Sequence, residues 1–174
     1  MDMQVRPYDR THHMTDEIVE EAGKSVDAAR YLPYYLTTLS SAFSWGASKV
    51  FRAEFGIGLN EWRMLSSLRN EPGIRAQRVC EMVSMNKSLV SRSARSLEER
   101  GMLTERLSQG QRLMWLTPAG ADMHDRIIKI ALEREAAMLE GFSATEQDQL
   151  FAFMARLHDN LAKVDTVDET YLEK

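Results

Sequence analysis

Apolar residues recur at steps of three and four along most of the chain, and this periodicity predicts a mainly helical protein. One stripe runs along 34–55, and Gly56 and Gly58 end that helix. A second helix is predicted from a cap at Asn60 to the turn at Pro72-Gly73. The residues of the first stripe are Leu36, Leu39, Phe43, Ala47 and Val50.

The middle of the chain predicts two helices joined by a tight turn. A short helix covers 74–83, with Val79, Cys80 and Val83 as its buried side, and 84–86 form the turn. Asn86 is a favourable cap for the next helix, which runs to about Arg100 and stops at Gly101. A short helix, a three-residue turn and a second helix make a helix-turn-helix.

A β-hairpin is predicted directly after this pair of helices. Leu-, Thr- and Trp-containing segments at 102–107 and 111–116 flank the Gly-containing turn 108–110. Thr117-Pro118 then supplies a capping side chain and a proline at the first helical position, so a helix is expected from there to Gly141.

The two ends of the chain differ in character. Ser143 and Glu146 have capping-box spacing, and the apolar residues between Leu150 and Val164 keep helical spacing behind them. This stripe either needs a partner or packs within its own chain. Residues 1–30 form a polar extension for which a helix through about 16–30 is expected.

The second helix of the helix-turn-helix has two contrasting faces. Val90, Ala94 and Leu97 form its inner face, and from Met82 to Leu97 there are three basic residues and no acidic one. Small hydroxyls beside arginines suit the major groove of DNA, where arginine pairs with guanine or phosphate. The alternative is an ordinary solvated helix face. The outer residues are Lys87, Ser88, Ser91, Arg92 and Arg95.

Charge along the chain strengthens the DNA interpretation. The 174 residues include 22 Lys and Arg against 26 Asp and Glu, a net charge of −4 that by itself argues mildly against nucleic acid. Residues 69–112, however, hold nine basic and five acidic residues, a balance of +4, so the remainder carries −8. We call the basic segment 69–112 the reading head. Because the rest of the chain is acidic, this charge distribution favours one orientation of the protein toward DNA.

Composition also excludes several classes of protein. No apolar run approaches the roughly 18 residues that a spanning helix needs, and 1–10 contain no apolar segment typical of a secretory signal. We therefore expect a cytoplasmic protein with no membrane partner. The four histidines and one cysteine have no zinc spacing, and no catalytic motif is present, so no metal, cofactor or enzyme activity is predicted.

Three motifs resemble the MarR (multiple antibiotic resistance regulator) family of winged-helix transcription factors: 86–92 (NKSLVSR), 97–103 (LEERGML) and 116–120 (LTPAG). The resemblance covers about 31–165 and implies a mainly α fold with a small β-hairpin wing. Within that range it implies a helical dimerisation region at 31–58 and 118–165 and a winged helix-turn-helix at 59–117, and the remaining residues form a polar extension at 1–30 and a C-terminal tail at 166–174.

The resemblance further implies a homodimer, expected to be a repressor, that places two recognition helices on a pseudo-palindromic double-stranded operator. Family members commonly carry an Asp-x-Arg wing tip, whereas 108–112 of this chain read SQGQR, without an aspartate. Arg112 is the remaining candidate there, while Arg75 and Arg78 are candidates for contacts to the DNA backbone. The expected DNA-binding residues are Arg75, Asn86, Lys87, Ser88, Ser91, Arg92, Arg95 and Arg112.

A ligand site is expected next to the first helix. Serines recur there every four residues beside an aromatic ring, a pattern that suits either a small aromatic acid or close helix packing. Within the family, the segments 31–33 (YLP), 61–63 (EWR) and 86–92 most resemble regulators of aromatic-acid catabolism, including hydroxycinnamate pathways. The expected effector is therefore a small aromatic carboxylate or its CoA thioester, which releases the protein from DNA. The candidate residues are Ser40, Phe43, Ser44, Ser48, Trp62 and Arg63.

Two alternatives remain open from the sequence. A thiol switch at Cys80 would need an exposed, low-pKa sulfur, whereas its apolar neighbours favour a buried one. A protein-interaction module that keeps the fold without binding DNA is the second alternative, because the wing departs from the family pattern.

Overall fold

A computed structural model describes residue 23 and residues 25–172. Within them the order is four helices, a hairpin and three further helices, which confirms a mainly α fold with a β-hairpin wing. The elements are α1 Leu32–Phe55, α2 Leu59–Asn70, α3 Ala76–Val83, α4 Lys87–Glu99, β1 Leu103–Ser108, β2 Gln111–Leu116, α5 Pro118–Met138, α6 Ala144–Asp159 and α7 Leu161–Leu172.

Residues 1–42 and 43–174 form two units. In the first unit, the helix expected through about 16–30 lies mostly outside the described residues; within them, 25–27 have no regular structure and Ala28–Arg30 form one turn of 3-10 helix. The Asp27 carboxylate accepts a hydrogen bond from the Ala29 N–H at 3.0 Å, which caps this turn. Tyr35 Oη donates to the Ala29 carbonyl at 3.2 Å.

The core of the second unit lies beneath the helix-turn-helix. Phe51 of α1, Leu65 of α2 and Leu97 of α4 are essentially inaccessible to solvent, and Ile127 of α5 closes the same cluster. The inner face predicted for α4 is thereby confirmed, since Val90, Ala94 and Leu97 are all buried. Burial of one face per helix is the packing that the apolar stripes predict.

The start of α2 differs from the prediction. The helix begins at Leu59 after Gly58, not after the predicted cap at Asn60. The Glu61 carboxylate reaches back to the Gly58 N–H at 2.5 Å, and Trp62 N–H donates to the Gly58 carbonyl at 2.9 Å. Satisfying these amide groups two residues earlier fixes the start of the helix there.

Ile74 does not begin the third helix. It forms a β-bridge with Met114, in which Met114 N–H donates to the Ile74 carbonyl at 3.0 Å, and α3 starts only at Ala76. Ile74 thus pairs with β2 as a single bridging residue that belongs to neither strand of the hairpin. The base of the wing is therefore attached to the segment that leads into the helix-turn-helix.

The predicted hairpin is present, with a tighter turn than expected. Ser108 pairs with Gln111, so the connection has two residues instead of three. Gln109 and Gly110 both have positive φ, 49° and 75°, the backbone of a type I′ hairpin turn. Glycine adopts this conformation without cost, and it matches the twist of the paired strands.

Two of the motifs meet where the wing returns to the helices. Thr117 caps α5 by accepting from the Gly120 N–H at 3.2 Å, and its hydroxyl donates to the Gly101 carbonyl at 2.6 Å. A Cβ atom added to Gly120 would lie 2.0 Å from the Met102 carbonyl oxygen, so only glycine fits this approach. The LTPAG and LEERGML motifs therefore form one packed joint.

The C-terminal part of the chain forms two helices, whereas the sequence predicts a single helix followed by a tail. The Ser143–Glu146 capping box is present at the start of α6, but the helix ends at Asp159, with Asn160 as its C-terminal cap. The Asn160 N–H donates to the Arg156 carbonyl at 3.2 Å before α7 begins at Leu161. Helix α7 then continues to Leu172 through most of the segment expected as a tail.

Among the residues that the structure describes, no helix is both long and apolar enough to cross a lipid bilayer.

Candidate nucleic-acid interface

The turn between α3 and α4 is held by a buried side chain and a helix cap. Ser84 adopts a left-handed conformation, with φ 50° and ψ 43°, and Met85 is buried against the core. Asn86 Oδ1 then accepts from the Leu89 N–H at 2.9 Å, as the sequence predicts for the cap of this helix. The structure thus contains the predicted helix-turn-helix.

The outer face of α4 is exposed along its whole length. Lys87, Ser88, Ser91, Arg92 and Arg95 are all accessible to solvent. Within the described part of the chain, none of the three cations has a carboxylate oxygen within 4.0 Å. The one side-chain hydrogen bond that these cations make within the described residues, from Arg92 Nε to the Ser88 carbonyl, is 3.4 Å long and weak. These cations are available to a ligand.

The two arginines near α3 are in different states. Arg78 donates to both oxygens of Glu71, at 3.0 and 2.7 Å, and lies 3.7 Å from Glu81. These hydrogen bonds lower the pKa of Glu71 and raise the pKa of Arg78. Arg75, the residue before α3, is exposed, and no carboxylate of the described residues pairs with it. Of the two predicted contacts, Arg75 is the one whose charge is not neutralised.

The wing places Arg112 beside an acid. Its Nη1 lies 3.1 Å from Glu105 Oε2 on the neighbouring strand, although 81% of the Arg112 side chain is exposed. Arg106 lies over the Trp115 ring at 5.9 Å, and that ring also covers Gly73, where an added Cβ would be 2.9 Å from Trp115 Nε1. Arg112 therefore reaches DNA only by sharing or leaving Glu105.

The candidate effector residues of α2 lie in two environments. Trp62 stacks on His124 with ring centroids 5.3 Å apart, and its edge faces Phe51 at 5.6 Å. His124 Nδ1 lies 2.9 Å from Asp125, and this hydrogen bond lowers the Asp125 pKa. Trp62 is thus a core residue first, while Arg63 is half-buried.

Phe43 has a cation above it that the sequence does not reveal. The guanidinium of Arg134 lies 4.7 Å from the Phe43 ring centroid, and Nη2 donates to the Phe43 carbonyl at 2.7 Å. Arg134 Nε is buried without a hydrogen-bond partner. An added Cβ at Gly46 would lie 3.1 Å from both Nη atoms. A glycine in the middle of a helix, such as Gly46, indicates that another group packs closely against it, but the sequence alone does not show that this group is Arg134.

The remaining candidates are not brought into one cavity. Ser44 and Ser48 are half-buried on α1, and Ser40 is exposed in the first unit. A cavity of about 270 Å³ lies beside α3 and the wing, and one of about 260 Å³ lies between α2 and the start of α5. Neither is lined by a candidate effector residue. Cys80, the thiol-switch candidate, is half-buried.

The arrangement of α2–α4 with the β1–β2 hairpin defines a winged helix-turn-helix protein. Residues 55–112 match the sequence model of the MarR family, and the solved structures include a MarR/EmrR family transcriptional regulator from Acinetobacter sp. ADP1, with 26% identity and a TM-score of 0.75 over 79% of this chain and 99% of that one. Residues 55–112 are therefore similar to the MarR family, and the described residues share the fold of a solved transcriptional regulator of that family.

Two further structures share the fold. One is a putative MarR family regulator from Listeria monocytogenes complexed with 26mer DNA, with 18% identity and a TM-score of 0.72 over 77% of this chain and 91% of that one. The other is the PcaV regulator from Streptomyces coelicolor in complex with its natural ligand, with 22% identity and a TM-score of 0.66 over 79% and 98%. A comparison with curated proteins gives no significant match.

Proposed function

We propose that this protein is a repressor that binds a pseudo-palindromic DNA operator as a homodimer and is released by a small aromatic carboxylate. The observation that carries the DNA part is the outer face of α4, where three exposed cations without carboxylate partners alternate with serine hydroxyls. Such a face, next to a wing, has the chemistry for base edges and phosphates. Binding to the genome also agrees with the expected cytoplasmic location.

Arg92→Gln and Arg95→Gln test this proposal. Fluorescence anisotropy with a duplex enriched by the wild-type protein from a random library measures the affinity. We expect each variant to weaken binding about tenfold, because a good bidentate base contact is worth about 1–3 kcal/mol and a lost phosphate contact removes part of the salt-dependent affinity. Arg156→Gln, an exposed change on α6, is the matched control and should bind like wild type. Enrichment of no sequence, or equal affinities throughout, would refute DNA recognition by α4.

Exposed apolar residues support the homodimer. Among the described residues nothing buries any residue of α6 or α7, and most of their large apolar side chains are about half exposed or more, while Leu150 and Leu157 are partly buried. Monomeric proteins rarely leave such extended apolar surface in water. These residues, together with two from α5 and one from the α5–α6 loop, are Leu132, Met138, Phe142, Phe151, Phe153, Met154, Leu161, Val164, Val167 and Leu172.

Arg134 supports a carboxylate as the effector. Its buried Nε has no partner, and no carboxylate of the described residues lies within 4.0 Å of its guanidinium. A buried N–H donor without an acceptor is unfavourable, so an incoming anion that accepts from Nε gains a charge-assisted hydrogen bond there. The Phe43 ring beside it suits an aromatic ligand.

Isothermal titration with 4-hydroxycinnamate and with its uncharged amide tests the effector. We expect wild type to bind the acid in preference to the amide, and Arg134→Gln to bind the acid at least about tenfold more weakly, since a charged hydrogen bond is worth about 1.5–3 kcal/mol. Arg156→Gln again serves as the control. Equal binding of acid and amide, or no effect of Arg134→Gln, contradicts this assignment and leaves DNA binding unaffected.

A further inference from the structure

The C-terminal end of α4 is attached to the junction between α1 and α2. Arg100 Nη1 donates to the Gly56 carbonyl at 2.9 Å, and Nη2 donates to the Phe55 carbonyl at 3.2 Å. Ser96, one turn earlier, hydrogen-bonds through its hydroxyl to Glu61 Oε1. Residues four apart lie on the same side of a helix, so one side of α4 makes both contacts.

The acceptors of Arg100 are chemically suited to a cation. Phe55 is the last residue of α1, and Gly56 follows it with φ 64°. Carbonyls at the C-terminal end of a helix lack intrahelical donors and carry partial negative charge. The two arms of one guanidinium satisfy two successive carbonyls, and this fixes both the distance and the direction between α4 and the end of α1.

Glu61 performs a matching role at the start of α2. One carboxylate oxygen accepts from the Gly58 N–H and the other from Ser96. The same side chain therefore caps α2 and attaches it to α4. Because Glu61 is half-buried, its bonds are less exposed to competition from water than those of a surface pair.

The opposite side of this helix end is attached to α5. The residue after Arg100 is Gly101, whose carbonyl accepts from Thr117 Oγ1, and the Met102 carbonyl accepts from Thr117 N–H at 3.0 Å. The end of α4 thus lies between α1 and α5. Both of these helices carry exposed apolar residues, Trp45 on α1 and Leu132 on α5, and Leu132 belongs to the proposed dimer surface.

A small tilt of α4 about its C-terminal end produces a large displacement at its N-terminal, DNA-facing end. Helix α4 has 13 residues, so it is about 20 Å long at 1.5 Å per residue. A tilt of roughly 5° about the Arg100 end displaces Lys87 by about 1.7 Å over that length. Hydrogen bonds to base edges do not tolerate a displacement of that size.

We propose that Arg100 is a positioning residue for operator recognition: it does not contact DNA, and it sets the tilt of α4 through the Phe55 and Gly56 carbonyls, with Ser96 and Glu61 supporting the same alignment. The inference rests on the proposed DNA-binding function. It assigns sequence specificity to a residue outside the DNA-facing surface, and it gives α1 and α5 a direct connection to the orientation of the recognition helix.

Arg100→Gln, Arg100→Lys and Arg95→Gln form the test series. Affinity is measured for the enriched duplex and for a scrambled duplex of equal composition, over a range of salt concentrations. We expect Arg100→Gln to reduce the ratio of the affinity for the enriched duplex to that for the scrambled duplex about tenfold. Effects of this size are known for residues that change ligand binding without contacting the ligand. Its affinity for scrambled DNA and its salt slope should stay unchanged, whereas Arg95→Gln should reduce the slope by about one. Arg100→Lys, which keeps one charged donor group, should restore part of the ratio.

Hydrogen exchange without DNA separates failure of the inference from failure of the proposed function. We expect Arg100→Gln to accelerate exchange at 97–102 and at 56–58, with the protected core of α2 unchanged. Four outcomes of the Arg100→Gln experiments would each overturn the inference. In the binding experiments these are a salt slope that falls as in Arg95→Gln, an unchanged affinity ratio, and equal weakening on both duplexes. In the exchange experiment it is acceleration throughout the protein. Local acceleration in a protein that enriches no duplex supports the contact and refutes only DNA binding.

Discussion

The availability of each arginine near the recognition helix depends on its nearest acceptor. Arg78 is held by Glu71 and Arg112 by Glu105, whereas Arg92 has no carboxylate partner among the described residues. Exposed ion pairs contribute little to stability. They matter here because a paired guanidinium must leave its partner before it can bind phosphate. Charge counting along the sequence cannot make this distinction, since all three residues contribute equally to the total.

The Glu71–Arg78 pair should respond to acid. The hydrogen bond from Arg78 lowers the Glu71 pKa below its ordinary value of 4.5. A carboxyl whose folded pKa is depressed stabilises the fold above its unfolded pKa, and this contribution disappears as the pH falls through the folded pKa. Glu71→Gln should therefore lower stability toward urea at pH 7, and this effect should shrink as the pH falls below 4.5 and through the lowered pKa of Glu71. An NMR titration midpoint for Glu71 at or above 4.5 would contradict the predicted direction.

At the scale of the element, α4 combines a structural cap with a binding surface. Asn86 Oδ1 caps the helix, and the same residue lies next to Lys87 and Ser88 on the exposed face. The exposed N–H groups of a helix N-terminus attract phosphate. A substitution at this position therefore acts on stability and on DNA affinity through different atoms.

Asn86→Ala and Asn86→Asp separate these two roles. The alanine variant loses the cap and should be destabilised by about 1 kcal/mol, whereas aspartate retains an acceptor and should be close to wild type in stability. Aspartate also adds a negative charge beside the phosphates, so its DNA affinity should fall more than that of the alanine variant. Urea unfolding and fluorescence anisotropy measure the two effects. Equal affinities of the two variants would show that Asn86 lies away from the DNA.

Local capping chemistry explains why much of the fold could be predicted. Asn86, Thr117 and Ser143 each bond an amide three residues ahead, so the short sequence around them contains the information. Ile74 could not be assigned in this way, because its β-bridge partner Met114 is 40 residues away. The guanidinium of Arg134 over Phe43 likewise depends on how α1 and α5 pack. The sequence predicted the outer face of α4, but not which arginines around it are paired.

At the scale of the whole molecule, charge and apolar surface fall in different parts of the chain. Residues 69–112 carry +4 and the remainder −8, while α6 and α7 expose their apolar side chains. An acidic surface discourages contact with DNA outside the reading head, and apolar helices favour association with a second copy. Two heads on one dimer would engage the two halves of a symmetric operator.

Phe153→Asp tests the dimer surface. Phe153 is 56% exposed in the single chain, so a charge there costs a monomer little and destabilises an apolar interface. Light scattering should give twice the 19.9 kDa chain mass for wild type and a lower mass for the variant at micromolar concentration. Ala152→Asp, an exposed position of the same helix that lies about 100° around it from both Phe151 and Phe153, is the control and should remain dimeric. A monomeric wild type, or a variant with unchanged mass, would rule out α6 as the interface.

The joint around Gly101 also has a consequence for the order of folding. Thr117 and Gly101 are 16 residues apart, whereas Arg100 and Gly56 are 44 apart. Closing the longer loop costs about 1 kcal/mol more in chain entropy. The wing and α4 should therefore join α5 before Arg100 docks on α1, and α6 and α7 gain an apolar partner only when two chains meet. Thr117→Ala would then slow folding, whereas loss of the Arg100 contact would mainly accelerate unfolding.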